Sequence, residues 1–108
     1  MIIFGNKDNL DNILSKNNKV IIDFYTDWCP PCQVFKPTFE ESDKENKDIT
    51  HILLDVDAYQ DIAIEWGIQQ IPTVISIKDN KEISRIVGVV KKEDFDKKIK
   101  ELKKDEKN

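Results

Sequence analysis

The sequence predicts one α/β domain over residues 1–108, with a central mixed sheet of five strands flanked by about four helices. Three observations favour this class. The chain has 108 residues, and a domain of this size buries roughly 65% of the surface that its unfolded chain exposes. Segments rich in β-branched residues alternate with segments of helical spacing. Their order, βαβαβαββα, favours parallel strands with helices on both faces, followed by an antiparallel hairpin.

Each element follows from its local pattern. Strands are predicted where apolar and β-branched residues run together, at 2–4, 19–25, 49–56, 73–77 and 82–87. Helices are predicted where apolar residues recur every three or four positions, at 8–15, 33–46, 59–66 and 92–104. We expect a kink at Pro37, a helix cap at Gly67 and a left-handed turn residue at Asn80. The charged residues from about 103 to 108 are predicted to form a frayed tail.

Composition and charge exclude several function classes. The chain carries 17 Lys and Arg against 21 Asp and Glu, a formal net charge of −4, whereas nucleic-acid binding needs concentrated positive charge. No apolar stretch approaches the roughly 18 residues that span a bilayer, and the first residues lack the pattern of a secretory signal. We therefore expect a cytoplasmic monomer that binds neither nucleic acid nor membrane.

The two cysteines, Cys29 and Cys32, are the most informative residues. A bridge between them closes a very short loop, for which loop entropy gives only about 2 kcal/mol, so the pair is better explained as a disulfide that opens and closes. Cys29 lies at the predicted start of a helix, where free amides and the helix dipole stabilise a thiolate. Cys32, three residues on, can attack a mixed disulfide. Pro30 and Pro31 fit the first helical turn and stiffen the loop.

Other interpretations of these residues stay open. The cysteines could be buried and inert, or half of a zinc site, although zinc needs four ligands and the chain has one histidine. For that residue, His51, a solvated or hydrogen-bonded position on a strand is favoured. Asp23 interrupts an apolar strand, and burial would raise its pKa. Asp23 either exchanges a proton with Cys32 or points to a solvated edge. No metal and no cofactor beyond the cysteine pair are expected.

The chain resembles the thioredoxin family from about Ile2 to Leu102. The matching motifs are Asp23-Phe24-Tyr25, Trp28-Cys29-Pro30-Pro31-Cys32, Pro37, Asp55-Val56-Asp57, Ile71-Pro72-Thr73 and Gly88. The resemblance implies a protein dithiol–disulfide oxidoreductase, with Cys29 as the exposed nucleophile, Cys32 as the resolving thiol and Asp23 assisting proton transfer. It also implies disulfide-containing client proteins and a flavoprotein thioredoxin reductase as partners.

A docking surface is implied by the same resemblance. Pro72 would be cis and pack against the disulfide, and the Ile71 backbone would pair with an extended client segment. The apolar docking surface would comprise Trp28, Pro30, Pro31, Ile71, Pro72, Val87, Gly88 and Val89. For Trp66, packing at a helix end is favoured over contact with a groove.

Three positions depart from the family pattern. Pro30 replaces a glycine between the cysteines and removes one N–H near the thiolate. Leu53 stands where many thioredoxins have a lysine beside the buried aspartate, and Asn80 replaces a common turn glycine. The effect of Pro30 on the redox potential and the partner preference, and the effect of Leu53 on the pKa of Asp23, therefore stay open. The alternatives are a thiol oxidant or isomerase, a reductant dedicated to one client, and a non-catalytic binding module on the same scaffold.

Overall fold

The chain forms a five-stranded sheet with helices on both faces. The computed structural model describes residues 1–104. The elements, in chain order, are β1 (Ile3–Phe4), α1 (Leu10–Lys16), β2 (Lys19–Tyr25), α2 (Pro30–Glu45), β3 (Thr50–Asp55), α3 (Gln60–Glu65), β4 (Thr73–Lys78), β5 (Lys81–Val87) and α4 (Lys92–Lys103). This order confirms the predicted one. Within residues 1–104, no helix has the length and apolarity needed to cross a bilayer.

The predicted frayed tail at 103–108 is described only in its first two residues. Lys103 is the last residue of α4, and the N–H of Lys104 donates to the Glu101 carbonyl at 3.3 Å. Residues 105–108 lie outside the described residues.

Strand β2 lies at the centre of the sheet, in the strand order β1-β3-β2-β4-β5. It pairs in parallel with β3 and antiparallel with β4. Its five middle residues are all buried, as predicted for a strand that is covered on both faces. The segment that carries both cysteines follows directly from this central strand and is therefore positioned by the interior of the sheet.

The direction of β4 confirms the prediction that an antiparallel hairpin follows the parallel strands. β4 runs antiparallel to β2. The helix before it, α3, has six residues and spans about 9 Å, whereas a six-residue strand such as β3 spans about 20 Å. α3 is too short to return the chain to the opposite end of the sheet, so β4 begins near the end where β3 stops. α2, with 16 residues, spans about 24 Å and makes the parallel crossover from β2 to β3.

Alternation along β2 divides the core into two apolar layers. Val20, Ile22 and Phe24 belong to the layer that contains residues of α1 and α3. Ile21 belongs to the layer that contains residues of α2 and α4. Asp23 has the same parity as Ile21, so its carboxyl lies on the face of the sheet that α2 covers.

Aromatic rings join α2 to α4 on that face. The rings of Phe35 and Phe39 lie 5.0 and 6.0 Å from the ring of Phe95, within the range of favourable aromatic pairs. Phe39 and Phe95 are fully buried. α2 also contains Pro37, through which it continues as one helix, and the predicted kink stays a prediction.

His51 is a hydrogen-bonded core residue. Its Nδ1 lies 3.0 Å from the Ile49 carbonyl, and its Nε2 lies 2.8 Å from the Ser42 hydroxyl. Burial lowers the pKa of His51, so the ring is neutral at pH 7, with Nδ1 donating and Nε2 accepting. The hydrogen-bonded interpretation is confirmed. In the described part of the chain, no group of three or more His, Cys, Asp and Glu side chains could hold a metal ion.

Residues with positive φ end α3 and turn the β4–β5 hairpin. Gly67 has a φ of 68°; its N–H donates to Ile64 at 3.1 Å, and the N–H of Ile68 donates to Ala63 at 2.9 Å. This pair of bonds closes a helix on a left-handed residue, which confirms the predicted cap. Asp79 and Asn80 have φ values of 52° and 65°, as a two-residue type I′ hairpin turn requires. The left-handed prediction for Asn80 is confirmed.

We predict that Gly67→Ala lowers the free energy of unfolding by about 1 kcal/mol, because an L side chain is strained at a left-handed φ. A Cβ at this position meets no atom within 4 Å, so the loss reflects backbone conformation alone. Urea unfolding measures it. Gly67→Asn is the control, since asparagine tolerates this region, and equal losses in the two variants would contradict the explanation.

Candidate active site

Cys29 and Cys32 lie at the start of α2 and are joined by a disulfide. Cys29 is the N-cap residue, with an extended backbone, and Pro30 and Pro31 are the first two residues of the helix. The backbone N–H of Cys32 donates a hydrogen bond to the Cys29 sulfur at 3.2 Å. The helix therefore begins three residues before the predicted start at 33, and the placement of both prolines in its first turn is confirmed.

The two prolines reduce the backbone donors that can reach the Cys29 sulfur. Neither Pro30 nor Pro31 has an N–H, and the N–H of Gln33 donates to the carbonyl of Cys29 at 3.0 Å. The Cys32 amide is thus the first-turn donor left for the sulfur. Together with the positive end of the α2 dipole, it provides the environment that stabilises a thiolate on Cys29 when the disulfide is reduced.

In this oxidised structure Cys29 is buried, which corrects the expectation of an exposed nucleophile. Cys29 and Cys32 are each 3% exposed. The bonded sulfurs shield each other, and the Cys29 sulfur also lies 3.9 Å from the carbonyl oxygen of Ile71. Trp28, the residue before the pair, is 68% exposed. The surface next to the disulfide is therefore formed by its neighbours in the chain and not by the sulfurs.

Asp23 is a buried carboxyl with apolar neighbours. It is 1% exposed, and its Oδ1 has no hydrogen-bond partner within residues 1–104. Its cross-strand partners are Leu53 on β3 and Val74 on β4, so Leu53 stands directly beside it. Desolvation by burial raises the pKa of Asp23 from 3.8 to about 7. The solvated-edge alternative is wrong, and the role in proton transfer stays a prediction.

Asp23 and Cys32 both line a cavity of about 160 Å³, here called the Asp23 cavity. It is lined by Asp23, Tyr25, Thr26, Asp27, Cys32, Gln33, Lys36 and Leu53. A single internal water needs only about 10–15 Å³ of such space. The cavity is therefore large enough for water to carry protons between the carboxyl and the sulfur.

The exposed indole of Trp28 is held by Asp57. Its Nε1 donates a hydrogen bond to Oδ2 of Asp57 at 2.6 Å, which fixes the orientation of an otherwise mobile aromatic ring. Asp57 belongs to the Asp55-Val56-Asp57 motif, and its contact with Trp28 was not predicted. The sequence signal for this contact was a polar side chain, Asp57, shortly after the buried strand β3.

The residues of the predicted docking surface differ in their exposure. The Ile71–Pro72 peptide bond is cis, as the resemblance implied, and the N–H of Gly88 donates to the Pro72 carbonyl at 2.9 Å, which joins this loop to the end of β5. Pro72 is buried and offers a partner little contact area; Ile71 and Gly88 are half-buried. The exposed members are Trp28, Pro30, Pro31, Val87 and Val89.

A groove of about 390 Å³ lies on the α3 side of the disulfide. Its lining residues are Thr26, Trp28, Val56, Asp57, Gln60, Ala63, Ile64, Ile68, Gln69, Gln70 and Ile71. Trp66 is absent from this lining and packs with its ring 5.8 Å from the ring of Phe24. Its predicted packing at a helix end is confirmed.

A mixed sheet whose central strand leads into a disulfide at the start of a helix defines a thiol–disulfide oxidoreductase of the Cys-x-x-Cys class. Residues 1–101 match the thioredoxin family model. The chain is 42% identical over 90 residues to the thioredoxin of Mycoplasmoides gallisepticum, covering 83% of this chain and 90% of that relative. It is 37% identical over 95 residues to a thioredoxin H-type of Picea mariana, covering 88% of this chain and 75% of that relative.

A solved structure supports the same family assignment. Mitochondrial thioredoxin 3 of Saccharomyces cerevisiae, in its oxidised form, has a TM-score of 0.86 and 32% identity, with 93% of this chain and 94% of that chain covered. The chain belongs to the thioredoxin family, and it is a protein dithiol–disulfide oxidoreductase.

We predict that Asp23 makes the stability of the oxidised protein fall as pH rises. Its pKa in the folded protein, about 7, exceeds the ordinary value of 3.8, so the folded state holds the proton longer than the unfolded state does. The stability that this retained proton contributes is fully present below pH 4 and is lost as pH rises through 7. The loss amounts to about 4 kcal/mol, at about 1.4 kcal/mol per pKa unit.

Urea unfolding without reductant, at pH 4 and pH 8, measures this change. Asp23→Asn keeps the shape of the side chain and removes the titration, so the variant gains stability over the parent protein as pH rises. Parallel pH profiles for the two proteins would show that Asp23 titrates normally.

Proposed function

We propose that this protein reduces the disulfides of client proteins, with Cys29 as the attacking sulfur and Cys32 as the resolving one. The observation that carries the proposal is the hydrogen bond from the Cys32 amide to the Cys29 sulfur at 3.2 Å. A donor at a helix start stabilises negative charge on the sulfur that it reaches. That sulfur is Cys29, which is therefore the one favoured as the attacking thiolate.

The reaction balances with the two cysteines alone. The Cys29 thiolate attacks one sulfur of a client disulfide; a mixed disulfide forms, and the other client sulfur leaves as a thiolate. Cys32 then loses its proton and attacks Cys29. The Cys29–Cys32 disulfide forms, and the second client sulfur leaves and is protonated. Two electrons pass from the dithiol to the client, so we propose that no bound cofactor takes part.

Asp23 is the proton acceptor that we assign to Cys32. Both residues line the Asp23 cavity, and burial holds the pKa of Asp23 at about 7. A group with this pKa is populated in both protonation states at neutral pH, so it can take the proton from Cys32 and later release it.

Reduction is favoured over oxidation by the small number of donors around Cys29. Strong thiol oxidants of this kind owe their potential to a stabilised reduced form, and each donor to the thiolate adds to that stabilisation. Pro30 and Pro31 contribute none. We therefore propose a reducing couple, and a titration against glutathione separates it from an oxidant or isomerase.

Clients dock, in this proposal, on the apolar surface around the disulfide. An extended client segment pairs with the Ile71 backbone as an added strand, and the exposed valines at the end of β5 contact its side chains. A flavoprotein reductase uses the same surface to return electrons, and the cytoplasm is the compartment that we propose for the cycle. A similar chain, with a TM-score of 0.86, comes from a study of thiol resolution in a yeast mitochondrial 1-Cys peroxiredoxin, which suggests peroxiredoxins as one client class.

We predict that Cys32→Ser accumulates mixed disulfides with client proteins, because the Cys29 thiolate still attacks and nothing resolves the product. Non-reducing electrophoresis with mass spectrometry detects and names the trapped clients. Cys29→Ser is the matched control and traps none, and both variants lose the reduction of insulin disulfides. Equal trapping by the two variants would contradict the assigned roles. Full biological function in a variant that carries both Cys29→Ser and Cys32→Ser would favour the binding-module alternative.

We predict that Val89→Asp weakens client docking and raises KM for insulin reduction about tenfold, with kcat nearly unchanged. Val89 is 71% exposed, and a charge there has to be desolvated when an apolar client segment covers it. Ile83→Asp is the control, since Ile83 is 45% exposed and lies four residues from Val87 towards the hairpin turn, about 13 Å away along β5. Equal effects in the two variants would exclude a localised docking surface.

A further inference from the structure

Thr26 is a buried hydroxyl beside the reactive cysteines. It follows the last residue of β2 and precedes Cys29 by three positions. It is 1% exposed, and its Oγ1 has no hydrogen-bond partner among the residues that the structure describes. A buried donor without a partner destabilises a fold, so its position calls for an explanation.

The position of Thr26 relates it to both parts of the site. Thr26 lines the Asp23 cavity together with Asp23 and Cys32, and it also lines the groove that contains Trp28 and Ile71. Oδ1 of Asp23 likewise has no partner in the described chain. Two residues with unpartnered buried polar atoms therefore border one cavity, and a reactive sulfur borders it as well.

In the oxidised state the groups that border the cavity are weaker acceptors than a carboxylate or a thiolate. Cys32, which borders the cavity, is then disulfide-bonded and a poor acceptor, and burial raises the pKa of Asp23 to about 7, so the carboxyl is partly protonated at neutral pH. During the resolving step the same cavity has to hold a negative charge, first on the carboxylate of Asp23 and then on the thiolate of Cys32. A hydroxyl rotates about one bond and can donate to either acceptor.

We propose that the Thr26 hydroxyl donates a hydrogen bond to the negative charge that passes between Asp23 and Cys32 when the mixed disulfide is resolved. This inference rests on the proposed roles of Asp23 and Cys32. No atom is added or lost in the step: the proton moves from the Cys32 sulfur to Asp23, the Cys32 sulfur bonds to Cys29, and the client sulfur leaves with the electron pair. The hydroxyl keeps its own proton.

The charged and titratable groups around the cavity come from three elements. β2 contributes Tyr25 besides Asp23, the following loop contributes Asp27, and α2 contributes Lys36 besides Cys32, whereas β3 contributes only the apolar Leu53. Asp27 and Lys36 are exposed, so solvent screens their effect on the buried charge. Thr26 is a neutral donor that burial shields from this screening.

The experiment separates attack from resolution in the 108-residue chain. The reduced protein is mixed with dithiobis(nitrobenzoate) in a stopped-flow spectrometer, where each step releases one coloured thiolate. The first phase reports attack by Cys29, and the second reports resolution by Cys32. Thr26→Val removes the hydroxyl at nearly constant shape, and Thr26→Ser retains it.

We expect Thr26→Val to slow the second phase about tenfold at pH 7, the smaller end of what a hydrogen bond to a charged group contributes. The pH midpoint of that phase rises by about one unit, since a tenfold loss corresponds to one pKa unit. The first phase stays within about twofold of the parent protein. Thr26→Ser restores the second phase, which a role in packing alone does not explain.

Ser76→Ala is the matched control. Ser76 is 1% exposed and its hydroxyl also has no partner within residues 1–104, but it lies on β4 and does not line the Asp23 cavity. Both phases stay unchanged in this variant. A second phase slowed equally by Ser76→Ala would overturn the inference, because loss of any buried hydroxyl would then suffice.

Two further results would overturn the inference: a second phase in Thr26→Val that matches the parent protein in rate and pH midpoint, or one in Thr26→Ser as slow as in Thr26→Val. Thr26→Ala repeats the test if circular dichroism shows that Thr26→Val does not fold.

Asp23→Asn separates the role of Thr26 from the proposed role of Asp23. A second phase slowed by Asp23→Asn and not by loss of the hydroxyl overturns only the role of Thr26, whereas absence of a second phase in the parent protein overturns both.

Discussion

The hydrogen bond from the Cys32 amide to the Cys29 sulfur is the contact on which the reactive site depends. It forms because α2 begins at Pro30, directly after its N-cap residue Cys29, and the segment before the helix follows the last residue of the central strand, Tyr25. β2 is paired on both sides, so the interior of the sheet holds the sulfur through a loop of four residues. The prolines at the first two helical positions have no N–H, and no other first-turn amide replaces this donor.

A second constraint acts on the same strand. Alternation along β2 turns Asp23 towards α2, the helix that also carries Cys32. Flanking residues on β3 and β4 are apolar, so the carboxyl is desolvated and destabilises the oxidised fold. A buried acid that lowers stability and shares a cavity with a reactive sulfur is typical of a site in which stability is exchanged for reactivity.

Much of the fold can be predicted from the order of apolar and polar residues along the sequence. β2 was predicted with its observed bounds because burial on both faces leaves a continuous apolar run. The pairing of β4 with β2 could not be predicted locally, since it depends on how the chain returns to the sheet after α3. The contact between the Cys29 sulfur and the carbonyl of Ile71 joins residues 42 positions apart, and the cis bond at Pro72 was implied only by resemblance. Nothing in the sequence distinguishes Thr26 from any polar residue after a strand, because its importance lies in which cavity it borders.

The edges of the sheet have a consequence for how the protein behaves in concentrated solution. One edge strand, β1, has two residues, and the other, β5, carries Lys81, Glu82 and Arg85 among its seven residues. Very short or charged edges resist pairing with foreign strands. Both edges of the sheet therefore protect the protein from joining unfolded chains in fibrils.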